Sequence, residues 1–99
     1  MSGGMQLSET ELIEIGYTLL KGKLYKAAVD VFSDLQKPHL LNGTVNKISS
    51  DFIKIKKKLE KKVDDRKMSI GNYFQIINSY SIQQRYAEKR EEEIRTILH

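Results

Sequence analysis

Between Val45 and Val63 six apolar residues, Val45, Ile48, Phe52, Ile55, Leu59 and Val63, recur at spacings of 3, 4, 3, 4 and 4. Only an α-helix brings such positions onto one side, because successive residues turn by about 100° around its axis. A strand needs alternation by two, and most of the intervening positions are lysine. The spacing is close to a heptad seam, so the segment must bury one stripe against other helices. Thr44 is a cap for this helix, which is expected to end near Arg66 after roughly 33 Å.

The rest of the chain agrees. Ser8-Glu9-Thr10-Glu11 has the form of a capping box, in which the serine covers free amides and Glu11 reaches back. Leu12, Ile15, Leu19 and Leu20 follow at helical spacing, with Ile13 widening the stripe. Gly22 stands where a left-handed C-cap stops a helix. A second run has Leu24, Ala27, Ala28, Val31, Phe32 and Leu35 as its expected apolar face, and Pro38 prevents its continuation. His39 to Gly43 reads as a connector with a turn at Asn42-Gly43. Ser69 can cap a fourth helix using Ile70, Tyr73, Phe74, Ile77 and Tyr80, resuming at Ala87, Ile94, Ile97 and Leu98. Gly71 and Asn78-Ser79-Tyr80-Ser81 form helix weakly, which allows a bend. The expected fold is all-α, an antiparallel four-helix bundle made of a short and a long helical hairpin.

The expected organisation is a leader over residues 1–7, a helical adaptor domain over 8–84, and a charged helical extension or linker over 85–99. Met1-Ser2-Gly3-Gly4-Met5 lacks the basic and apolar regions of a signal peptide, and the chain reads as a domain of a longer protein. No run approaches the ~18 apolar residues of a membrane span, and the expected location is cytoplasmic, away from the membrane.

The chain has 99 residues and a formal net charge of +4, and the excess is local. Residues 45–67 hold nine basic side chains against four acidic ones, residues 5–38 four against five, and residues 85–99 four against four. Lys54, Lys57, Lys58 and Lys61 lie broadly opposite the Phe52, Ile55, Leu59 seam. A run of this kind is commonly a solvated face, and it is also what attracts phosphate or an acidic protein surface. Arginine is sparse on it, and no asparagine or glutamine takes base-reading positions.

Little points to catalysis. Without cysteine there is no thiolate zinc site and no thiol nucleophile. His39 and His99 have no ligand partner at helical spacing, so neither metal nor cofactor is expected. The glycines form no phosphate loop and the serines no nucleophile elbow. Asp64-Asp65 and Glu91-Glu92-Glu93 are adjacent carboxylates, and sequence neighbours point apart on a helix. Tyr73, Phe74, Tyr80 and Tyr86 are expected as core with the tyrosine hydroxyls at the surface, Tyr86 being the most exposed and available to a partner.

Two resemblances add to this. Leu12, Ile15, Gly16, Leu19, Ala28, Phe32 and Leu35 fall at the offsets of one tetratricopeptide repeat, which implies that Gly16 and Ala28 sit where two helices pack closest. Residues 12 to about 84 resemble the bacterial effector-associated domains, all-helical adaptors of antiviral conflict systems. The likeness rests on Lys21-Gly22-Lys23-Leu24 with Ala27-Ala28, on Asn46 through Arg66, and on Ser69-Ile70 with Tyr73 and Asn78. It implies a non-enzymatic role in which docking to a related domain or to itself recruits or oligomerises an effector. The candidate interaction residues are Lys54, Lys57, Lys58 and Lys61 as the basic patch, with Glu9, Glu11 and Glu14 of a neighbouring copy as acidic partners, and Tyr86. The alternative is nucleic-acid binding by the lysine-rich helix, and a second alternative is a structural oligomerisation bundle.

Overall fold

A computed structural model describes residues 6–98. The expected leader falls largely on residues 1–5, which lie outside the described residues, as does His99. Within them the chain is all-helical, with four helices: α1 (Glu9–Lys21), α2 (Tyr25–Asp34), α3 (Pro38–Asp64) and α4 (Ile70–Leu98). None is long and apolar enough to cross a membrane.

The capping box forms as expected. The Glu11 amide donates to Ser8 Oγ and the Ser8 amide to Glu11 Oε1, both at 3.1 Å. At the start of α4, Ser69 Oγ accepts from the Asn72 amide at 3.2 Å. The left-handed stop after α1 is Lys23 (φ 64°) and not Gly22, whose φ is −81°. Leu24 and Lys23 donate back to the carbonyls of Leu19 and Leu20, the paired bonds of a Schellman motif. Gln36 (φ 52°) and Arg66 (φ 59°) end α2 and α3 in the same way. Each of the three stops therefore places a long polar side chain where glycine is favoured.

The middle of the chain departs from expectation in three ways. Residues 39–43 are not a connector, and Asn42-Gly43 is not a turn. Pro38 is the first residue of α3, which runs for 27 residues, about 40 Å. Proline suits that position because its missing N–H needs no partner there and its φ is preset. Leu40 and Leu41 extend the buried stripe toward the N-terminus. Thr44 is consequently not a cap but lies buried, its hydroxyl donating to the Leu40 carbonyl at 2.9 Å. The face of α2 is also turned from the one expected. Tyr25, Ala28, Val29, Phe32 and Ser33 are buried, while Leu24 is 58% exposed.

That rotation follows from the position of α2, which packs against all three other helices, whereas α1 packs chiefly on α2 and α3 along α4. Gly16 of α1 lies under the Phe32 ring, and a methyl group there would come within 2.6 Å of Phe32 Cζ. Along α3 and α4, Ser49 meets Gln84, Phe52 meets Tyr80 and Glu60 meets Tyr73, so residue numbers fall on one helix as they rise on the other. The partners of α2 are Asp51 and Tyr80 for Tyr25, Tyr86 for Asp30 and Arg90 for Ser33. They lie along α3 up to Asp51 and along α4 from Tyr80 onward. Beyond that level α3 and α4 continue as a two-helix arm. The molecule measures 55 × 32 × 18 Å with a radius of gyration of 16.4 Å, against about 13 Å for a compact chain of this length.

Residues 85–98 continue α4 without interruption and reach the core, where Ala87 and Ile94 are buried. The segment that leaves the body is the arm. Phe74 and Ile70, expected in the apolar face of the fourth helix, are 60% and 61% exposed on it, and Ile97 and Leu98 are exposed as well.

Gly16 and Gly43, both inside helices, predict opposite outcomes. Gly16→Ala is expected to lower stability by about 1–3 kcal/mol, because the methyl group overpacks the Phe32 ring. Gly43→Ala is expected to raise it by about 0.5–1 kcal/mol, since a Cβ there meets nothing within 4 Å and the helix gains propensity. Urea unfolding curves of the two variants check both signs.

Candidate functional site

The arm carries the lysine row. Lys54, Lys57, Lys58 and Lys61 are all exposed on α3. They stand at i, i+3, i+4 and i+7, the spacing that stacks side chains on one helix face. Among the described residues none of the four joins a salt bridge. The seam on the other side of the helix, from Ile48 through Leu59, turns inward and fixes which way the lysines point. Ile53, one turn before Lys57, is also exposed. Ile70 and Phe74 supply further exposed apolar surface on the partner helix, so the arm combines cations with uncovered hydrocarbon.

The base of the arm is held by a buried polar network that sequence reasoning missed. Tyr25 is 1% exposed and its hydroxyl donates to Asp51 Oδ2 at 2.6 Å. Lys47 Nζ donates to Asp51 Oδ1 at 2.9 Å. Burial pushes the Asp51 carboxyl up, but the hydrogen bonds from Tyr25 and Lys47 and the Lys47 charge outweigh it and hold the group below its ordinary value. Burial, followed by the bond to Asp51, raises the Tyr25 phenol far above its usual range, which keeps it a donor. Tyr80 packs its ring on both Tyr25 and Phe52. One signal was present in the sequence: Asp51 stands three residues after Ile48 and four before Ile55, inside the apolar stripe.

Most of the expected acidic partners are already engaged within the chain. Glu9 pairs with Lys37 at 2.9 Å. Glu11 serves the capping box, where hydrogen bonds from the Ser8 backbone and then its hydroxyl lower its carboxyl. Glu14 is exposed, and its backbone carbonyl accepts from Thr18.

Tyr86 is not the exposed side chain expected. It is half-buried against the core and its hydroxyl donates to Asp30. Lys26 Nζ lies 5.6 Å from the centre of its ring. The bond to Asp30, then burial, raises its phenol, and one helical turn further on Arg90 Nε donates to Ser33 Oγ at 3.3 Å. Tyr86 and Arg90 thus form a polar seam between α4 and α2.

The depressions along α4, such as the one lined by Gln75, Asn78, Ser79 and Ile82, are shallow. Among the described residues no three histidine or carboxylate side chains gather where they would hold a metal ion. Comparison with known proteins gives no match: no family model, no curated protein and no solved structure corresponds to the chain.

The Asp51 network carries a pH dependence of defined sign. Its pKa in the folded state lies below the ordinary 3.8, so its stabilisation is complete above that value and is lost as pH falls through the folded pKa. Asp51→Asn is therefore expected to be less stable than the parent at pH 7, with the gap closing in acid, as followed by urea unfolding between pH 7 and pH 3. Tyr25→Phe is expected to cost about 1–3 kcal/mol, because it leaves the buried carboxylate short of a donor.

Proposed function

We propose that this chain is a non-enzymatic protein-interaction module, an antiparallel bundle of a short and a long helical hairpin that docks through the lysine face of α3. The observation that carries the reading is the uncovered arm. Four exposed lysines stand in one row that joins no ion pair among the described residues, and Ile53, Ile70 and Phe74 are exposed elsewhere on the same arm. An arm that carries such a row of cations, with exposed apolar side chains on its other sides, suits an acidic protein surface, where charge sets orientation and on-rate. The partner is a related helical domain or the chain itself. The resemblance of residues 12 to about 84 to effector-associated domains supports a cytoplasmic, bacterial setting in which such docking would recruit or oligomerise an antiviral effector.

Light scattering over a range of concentrations tests the reading. The average mass is expected to rise with concentration for the parent chain. It should fall toward the monomer when Lys57→Glu, Lys58→Glu and Lys61→Glu are combined, with the far-UV circular dichroism unchanged. Self-association that survives the triple reversal removes this face from the interface. Binding of DNA or RNA at low salt that declines steeply with log salt would favour the phosphate reading instead.

A further inference from the structure

The fold sorts charge in a way the sequence order conceals. The start of α1, the end of α2, the start of α3 and the end of α4 gather at the end of the molecule away from the arm. The Lys37–Glu9 ion pair ties the start of α3 to α1, and the Arg90–Ser33 hydrogen bond ties the end of α4 to α2. Residues 54–75, the arm, hold eight basic side chains against three acidic ones. Residues 6–20, 30–43 and 88–98, the opposite end, hold nine acidic side chains against four basic ones. One end is thus +5 and the other −5 on a body 55 Å long, several times the Debye length of about 8–10 Å in physiological salt. The two ends present separate fields to a neighbour.

We infer that the occupant of the lysine arm is the acidic end of a second copy of this chain, in a head-to-tail contact. The inference rests on the docking function proposed above and adds the partner and its symmetry. A two-fold contact of arm on arm sets +5 against +5, and one of end on end sets −5 against −5, so like charges oppose both isologous arrangements. Arm on end joins opposite signs. Such a heterologous contact leaves each copy with one free arm and one free end, and it closes into a ring or grows as an open filament. The acidic half of the contact centres on Glu14, Glu88 and Glu92. All three are exposed, whereas Glu9, Glu91 and Glu93 already pair with Lys37, Arg95 and Arg90. Exposed pairs of this kind are individually weak and sensitive to salt.

Two full-length variants and their mixture test the inference by sedimentation velocity at low salt. The arm variant combines K57E, K58E and K61E, and the end variant combines E14K, E88K and E92K. Each alone is expected to self-associate about tenfold more weakly than the parent chain. Mixed in equal amounts they should regain association, because the basic arm of the end variant meets the acidic end of the arm variant. An end variant that associates like the parent while the arm variant dissociates overturns the head-to-tail contact and leaves docking through the lysine face standing. An arm variant that associates like the parent removes the lysine face itself. A mixture that stays monomeric, or a parent chain monomeric at every concentration, also overturns the second copy as partner. If a reversed variant loses its helical spectrum, the neutral sets K57Q, K58Q, K61Q and E14Q, E88Q, E92Q replace it, with weakening by each set expected and none overturning the inference.

Discussion

The hydrogen bond from Tyr25 to Asp51 is the contact on which the arrangement depends. Tyr25 opens α2, the ten-residue helix that touches the three others, and its phenol can enter the interior only because a carboxylate accepts its hydrogen bond there. Asp51 in turn is held ionised by that bond and by Lys47, which completes its shell from the solvent side. A buried polar group without partners costs several kcal/mol, so this pairing admits essentially one rotation of α2. With that rotation set, Phe32 covers Gly16, Asp30 meets Tyr86 and Ser33 meets Arg90. The same contact fixes the level at which the α1–α2 hairpin stops covering α3 and α4, and hence where the arm begins.

Much of the fold was legible because it rests on local chemistry. Ser8 and Ser69 cap where their side chains suggest, and the stripe from Val45 to Val63 turns inward along its length. The misreadings share a cause. Pro38 stops a preceding helix and starts a following one equally well, and the following Leu40-Leu41 decides between them only once a core exists to receive it. Gly22 is the residue a left-handed stop prefers, yet the tertiary register puts Lys23 there, as it puts Gln36 and Arg66 at the next two stops. Leu24 outranks Tyr25 in hydropathy, but only Tyr25 has Asp51 to bond.

The candidate surface was half legible. Composition locates the lysines and the helical period sets them on one face, but whether a face is covered is a property of neighbouring helices. Glu88 and the Glu91-Glu92-Glu93 run look like a solvated tail when read along the chain. Folded, they stand at the end that also holds Glu9, Glu11 and Glu14, because Ala87 and Ile94 bring α4 back to the body. The bipolar charge pattern therefore exists only in three dimensions.

The arm has a consequence for how the molecule opens. Past Asp51 the only buried apolar residue of α3 is Leu59, and α4 has none before Ala87. Local stability follows buried contact, so amide protons at the tip exchange with solvent through small openings of the hairpin, while those around Tyr25 and Phe32 wait for the whole body to unfold. A partner seated on the arm binds its folded form alone and draws the two regions together, which makes cooperativity of unfolding a property of protein concentration.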